Sequence, residues 1–553
     1  MLAKKVIYFT VLLLFLSIKL SNVYSCTNVL VTKGASTDGS TIISYAADSH
    51  DLFGELYHWP AQKYPEGTEL SIYEWDSGKY LGKIPQVSET YNVVGNMNEH
   101  QLSIAETTFG GRPELQDTTG ILDYGSLMYI ALQRAKNARE AIHIMVTLTD
   151  KYGYYSGGES FSIADPEEVW IMEMIGKGKW DKGAVWVAVK IPDGYVSAHA
   201  NQARITTFDL SDRDNVMYSH DVISFAREMG YFTGKNKEFS FADAYAPLDY
   251  EAVRFCEARV WSAFRIMNNE MDKYSDFVQG KSTDRMPLFI KPEKKVSVRD
   301  VQNIMRDHFE GTPLDMTQDS GAGPHKLPYR WRPLTWFVDS VEYINERAIA
   351  TQQTGFSFVA QMRGNYPNPI GGILWFGVDD AASSVYIPMY AGINSVPENF
   401  KEGVGNLLQF DWNSAFWVFN WVSNFAYTRY DMMIEDIKKV QQKIEDKYEM
   451  FGPAIDAAAQ SLFNKNPQLA REFLTEYSHN QASIAVKEWK KLGEFLMVKY
   501  LDGNVHPEKD GLFLRNKYGN PAPAQFPGYS DDFYRRIVEE TGDKLKIKEY
   551  PEN

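Results

Sequence analysis

The chain predicts an α+β protein with a layered sheet core, and three observations carry that reading. Stretches with strand-like composition recur near 26–45, 91–108, 160–175, 184–205 and 355–390. Between them, Gly125–Tyr152 places Leu127, Ile130, Ala131, Ala138 and Ile142 at near-helical spacing, which predicts a helix. Beyond about Phe410 the pattern turns helical and stays so to about residue 505.

The first segment, Met1–Ser25, has the parts of an export signal. Lys4 and Lys5 open it, an apolar run covers Val6–Leu16, and Val23 and Ser25 are small residues before the expected cut. The run is too short for an ordinary membrane-spanning helix, and no other stretch has that character. Cleavage there makes Cys26 the first residue of the mature chain, with a thiol and an α-amine on one residue. A cysteine at that place is also the acceptor of bacterial lipid anchors, although Tyr24 is bulky for such a site.

The next residues form a hairpin pattern. CTNVLV alternates toward strand, KGASTDGS supplies a turn rich in Gly, Ser and Asp, and Thr41–Tyr45 returns as strand. Later, Trp412, Phe416, Phe419, Trp421, Phe425 and Tyr427 precede IEDIKKVQQKIEDKYEM, whose acids and bases alternate at helical spacing. A further helical run covers Ala482–Tyr500, and the last residues read as an extended tail on the surface. These features divide the chain into a signal at 1–25, a core domain at 26–404, and a helical region with its tail at 405–553.

Composition narrows the partners. The chain carries a formal charge of −15, and losing the leader removes Lys4, Lys5 and Lys19 without removing an acid. An acidic chain with no basic run argues against nucleic acid and anionic membrane surfaces. Its 2 cysteines, Cys26 and Cys256, exclude a disulfide framework, and pairing them would silence Cys26. The 10 histidines show no metal-ligand spacing and no phosphate-binding loop is present, so no cofactor is indicated.

From Cys26 the sequence CTNVLVTKGASTDGSTIISYAAD resembles the opening of the C69 dipeptidase family, N-terminal nucleophile hydrolases related to penicillin V and bile salt amide hydrolases. Further segments resemble that family in order: GNMNEHQLSIAETT at 95–108, AREAI at 138–142, FSIADPEEVWIME at 161–173, VSAHANQARI at 196–205, DHFEGTPLD at 307–315 and VYIPMYAG at 385–392. The resemblance covers roughly residues 26–400. It implies a four-layer αββα sandwich with the helical region as an extension, and a cysteine nucleophile that cleaves dipeptides through an acyl-thioester.

The chemistry needs a base for the thiol and a donor for the oxyanion. A free α-amine on Cys26 can be that base, because model α-amines titrate near ~7.7–8.0 and thiols near ~8.5. The resemblance implies that Asp48 orients the amine and that Asn201 donates to the oxyanion. It also makes Glu106, Thr107 and Thr108 candidates for the substrate pocket. His199 falls two residues from Asn201 and reads as a core or supporting histidine, since the amine already supplies a base. Where the amide-hydrolase relatives carry an arginine three residues before the aspartate, this chain has Tyr45. Arg347, Arg330 and Arg332 are candidate anchors for a peptide carboxylate, with an ordinary ion pair as the competing reading.

The expectation is therefore an exported cysteine dipeptidase, periplasmic or secreted, acting on short peptides and leaving homo-oligomerisation open. Two alternatives stand beside it: a non-peptide amide hydrolase of the penicillin V or bile salt type, and a lipid-anchored binding protein acylated on Cys26.

Overall fold

The computed structural model describes residues 26–548. The proposed signal at 1–25 lies outside the described residues. The chain is α+β, with two large antiparallel sheets and a helical C-terminal region.

The first sheet has seven strands. Its order is Phe289–Ile290, Val196–His199, Asn28–Val31, Thr41–Asp48, Thr354–Met362, Gly372–Val378 and Ile387–Tyr390. The hairpin read from the sequence is present, with Leu30 opposite Ile43 and an added bridge between Thr27 and Ala46. Both of its strands lie inside the sheet and are buried along their whole length. That is why their residues are apolar on both faces rather than alternating with charge. Leu30, Ile43, Tyr45 and Ala47 pack into one hydrophobic cluster, whereas Val29, Val31, Ile42 and Ala46 pack into another. The two clusters lie on opposite faces, as the period of two requires.

The second sheet runs Val216–Tyr218, Ala184–Lys190, Val169–Gly176, Gly158–Ala164, Ser103–Gly110, Met97–Asn98, Val93–Val94 and His58–Trp59. It faces the first sheet: Tyr45 of one reaches Glu106 of the other, and His199 reaches Thr107 and Ser162. On the far side of the first sheet, Val260, Trp261 and Phe264 of helix Ala258–Met267 and Ile304 of helix Val298–Ile304 complete its cluster. Helices pack against the second sheet as well.

The helix predicted over Gly125–Tyr152 is two helices, Tyr124–Arg134 and Ala138–Tyr152. The break has a local cause: Asn137 adopts extended backbone and its side chain accepts the Glu140 N–H, starting a new helix. In the C-terminal region, helices Ala415–Ala426, Tyr430–Lys465 and Pro467–Lys499 pack on one another and on strands Gly372–Val378 and Ile387–Tyr390. Glu445 fastens them, accepting from Arg299 at 2.8 Å, Arg306 at 2.6 Å and the Tyr386 N–H at 3.0 Å. The tail beyond Tyr500 is largely exposed and includes a helix, Asp531–Thr541. Among the described residues no helix is long and apolar enough to cross a membrane.

Candidate active site

Cys26 stands at the open end of the third strand position in the seven-stranded sheet, where neighbours on both sides fix it. Its side chain is 4% exposed and forms part of the floor of a cavity of about 250 Å³. Sγ lies 3.5 Å from Glu106 Oε1 and 3.8 Å from the Tyr45 hydroxyl, and that hydroxyl donates to Glu106 Oε1 at 2.5 Å. Burial pushes the thiol up, and the charges of Glu106 and Asp48 push it further; the Asp48 N–H and Tyr45 pull it back. The balance favours the protonated thiol.

Glu106 reaches the cavity because strand Ser103–Gly110 alternates. Glu106 points to the cavity, Thr107 turns to His199 at 2.7 Å, and Thr108 donates to Glu159 at 2.5 Å. Glu159 is held far above the carboxylate range by burial first and by Glu106 next, so it stays protonated. For Glu106, burial raises the carboxyl, and hydrogen bonds from Glu159, Tyr45 and Cys26 oppose that. The thiol thus sits beside two buried carboxyl groups that touch each other.

Asp48 ends strand Thr41–Asp48 and also lines the cavity. Its Oδ2 accepts from Arg347 at 2.6 Å and its Oδ1 from the Thr354 hydroxyl at 2.6 Å. Arg347, named above as a candidate carboxylate anchor, is 3% exposed, is paired with Asp48, and does not line this cavity. Arg330 pairs with Asp319 at 2.7 Å, and Arg332 bonds Gln353.

Asn201 has a left-handed backbone, φ 57°. Its Nδ2 donates to the Thr108 carbonyl at 2.7 Å, and its Oδ1 accepts from Arg259 at 2.9 Å. Asn201 and Thr108 line a second cavity, of about 480 Å³, rather than the one floored by Cys26. Arg259 connects the two places: its Nη1 donates to the Cys26 carbonyl at 2.5 Å and to the Thr27 hydroxyl at 2.8 Å. Sequence reasoning missed Arg259. It is fully buried in helix Ala258–Met267, just after a π-helical turn over Ala252–Glu257, and Nε donates to Phe255 O across that turn. Tyr45 offers a hydroxyl to the cavity, while Arg259 and Arg347 bring positive charge from elsewhere in the chain.

His199 is completely buried. One ring nitrogen meets Thr107 and the other Ser162, both at 2.7 Å, and burial holds the ring neutral, at about 3. Cys256 is a free, buried thiol on the wall of the second cavity, and Cys26 is free as well.

A buried thiol backed by carboxyl groups, a tyrosine and a buried arginine, at the edge of a cleft between two sheets, has the make-up of a hydrolase with a cysteine nucleophile. The model of peptidase family C69 matches residues 25–443, and the chain belongs to that family. It is a peptide-bond hydrolase. The chain is 26% identical to a probable dipeptidase of Latilactobacillus sakei over 398 residues, 68% of this chain and 76% of that protein. Against a probable dipeptidase of Salmonella dublin it is 25% identical over 413 residues, 70% of this chain and 85% of the other. A dipeptidase of Bifidobacterium longum matches at 22% over 519 residues, 87% of this chain and 89% of that protein. Residues after 443 lie outside the family match, which ends within helix Tyr430–Lys465.

Proposed function

We propose that this peptidase is an exported cysteine dipeptidase whose leader is removed before Cys26, and that its two facing sheets and their covering helices form the αββα sandwich of N-terminal nucleophile hydrolases. The observation that carries the reading is the position of Cys26: Sγ on the floor of the cavity, and its own carbonyl held by Arg259. In the uncut chain the Cys26 nitrogen is an amide and cannot accept a proton. Cleavage turns it into an amine beside a thiol that burial otherwise keeps protonated.

The amine then takes the thiol proton as Sγ adds to the peptide carbonyl. Asp48, fixed by Arg347 and Thr354, orients the amine, and Asn201 donates to the oxyanion by turning its amide from the Thr108 carbonyl, which it holds at 2.7 Å beside the neighbouring cavity. Collapse expels the C-terminal residue as an amine, which receives the proton, and leaves a thioester that water hydrolyses. Support for dipeptides as the substrate comes from the relatives' names, and for a small acyl group from the cavity, which falls below the ~300–1,000 Å³ of pockets for drug-sized ligands.

The test is Cys26→Ala, assayed on a dipeptide panel alongside the mass and first residue of the exported wild-type chain. The expected outcome is a folded variant without turnover and a wild-type chain that starts at unmodified Cys26. Full activity in Cys26→Ala, or a lipid on Cys26, would overturn the reading.

A further inference from the structure

The cavity at Cys26 has a chemical character that peptide cleavage alone does not require. Tyr57, Trp75 and Tyr129 form its wall, and their rings are packed together, with centroids 4.7 Å apart for Trp75 and Tyr129 and 5.0 Å for Tyr57 and Trp75. Glu106 lies at the floor, half-buried Glu55 lies higher, and Asp51, Asp76 and Glu402 stand exposed at the mouth. No lysine, arginine or histidine is among the described residues that line it. The hydrogen bonds these acids accept come from groups without positive charge: Tyr45, Cys26 and the Glu159 carboxyl on Glu106, the Gly403 N–H on Glu55, and Tyr124 on Asp76. Glu106 is 1% exposed, and besides Tyr45 and Cys26 its carboxyl meets the neighbouring Glu159 carboxyl.

Carboxylates set beside aromatic faces select an organic cation. Among the described residues no three His, Cys, Asp or Glu side chains converge as metal ligands, so the acids are spread along the cavity instead of gathered on a point. Charge also sets the direction of the peptide. The carbonyl attacked by Cys26 belongs to the residue that carries the α-ammonium, while the leaving residue carries a carboxylate that these acids repel.

Resting on the peptidase reading of Cys26, we propose that this cavity is a cation-selective subsite for the N-terminal residue of the peptide: Glu106 takes the α-ammonium, and the aromatic wall with Glu55 and Asp76 takes a lysine or arginine side chain. The methylene stem lies along Tyr57 and Trp75, and the charged head reaches the acids at the mouth. A short or acidic side chain cannot use both halves of this arrangement.

The test compares kcat/KM of the purified mature chain for Lys-Ala, Arg-Ala, Met-Ala and Glu-Ala. Met is the neutral, unbranched control for the lysine stem. The expected result is about a tenfold advantage for Lys-Ala and Arg-Ala over Met-Ala. That ratio collapses toward one in Glu55→Gln/Asp76→Asn and in Trp75→Leu. Equal values for Lys-Ala and Met-Ala, or a preference for Glu-Ala, overturn the subsite while leaving peptide hydrolysis standing. Failure to cleave any of the four counts against the dipeptidase reading, and the subsite is then read without turnover, by titrating the tryptophan fluorescence of Cys26→Ala with lysinamide and norleucinamide. Tighter binding of lysinamide sustains the proposal, and equal binding overturns it.

Discussion

Asp48 and Arg347 form an ion pair at 2.6 Å with both side chains almost wholly out of solvent, at 0% and 2% exposure. The pair joins the end of the second strand to a loop 299 residues further along. Burial drives the Asp48 carboxyl upward and Arg347 opposes it, so the charge on Asp48 depends on Arg347.

Removing one partner therefore strands the second. Arg347→Met is expected to cost about 3–5 kcal/mol, while the double variant Asp48→Asn/Arg347→Met costs clearly less than the sum of the two single changes. Urea unfolding of the four proteins measures this. Additive losses would show that the two residues do not depend on each other.

Arg259 holds the Cys26 carbonyl, the Thr27 hydroxyl and Asn201 at once. Lysine has a single ammonium and cannot fork to all three. In Arg259→Lys, kcat is expected to fall by about 10²-fold or more with a smaller change in KM, because the groups around the reacting atoms lose their alignment. Steady-state kinetics on a cleaved dipeptide decide the matter, and an unchanged kcat would remove Arg259 from the site.

His199 gives an acid-sensitive element. Its folded-state value of about 3 lies below the ordinary 6.5, so the unfolded chain binds the proton first as the pH drops. The stability tied to the neutral ring is complete above pH 6.5 and is lost progressively as the pH falls toward 3, by up to about 1.4 kcal/mol per pH unit. Unfolding midpoints for wild type and His199→Gln at pH 7 and pH 4.5 test this: the wild type is expected to lose more between the two.

Glu445 is shared by Arg299, Arg306 and the Tyr386 N–H and is 2% exposed. Glu445→Ala strands the Arg306 guanidinium under the helical region, while Arg299 keeps Asp446 and Glu449, and is expected to lower the unfolding free energy by about 3 kcal/mol. Glu445→Gln, which keeps the shape without the charge, falls between it and wild type. Identical stability in all three would mean the helices are held by packing alone.

The sequence makes the Cys26 hairpin legible because strand, turn and strand are neighbours, and the pairing of Leu30 with Ile43 closes over a short loop. Glu106 is legible only through the family's pattern, and alternation along its strand then decides that Glu106, not Thr107, meets the cavity. Arg259 has no local signal. ARVWSAFRIM reads as an ordinary amphipathic helix, and the arginine's bond to Cys26 spans 233 residues. Arg347 presents the same difficulty: a lone arginine in INERAI gives no hint that its partner is the aspartate at the end of the second strand. The aromatic wall at Tyr57, Trp75 and Tyr129 likewise gathers residues from separate segments, so composition announces aromatic clefts without locating this one.

The long reach of those bonds bears on how the protein comes into being. Synthesis delivers Cys26 early, yet Glu106 follows 80 residues later, Arg259 after 233, and Arg347 trails Asp48 by 299. A ribosome adding ~5–20 residues per second therefore leaves the thiol waiting for tens of seconds before the groups that surround it exist. On the proposed mechanism the protein is born unarmed, and the same distances that hide the site from a local reading of its sequence keep the half-made chain from acting on its neighbours.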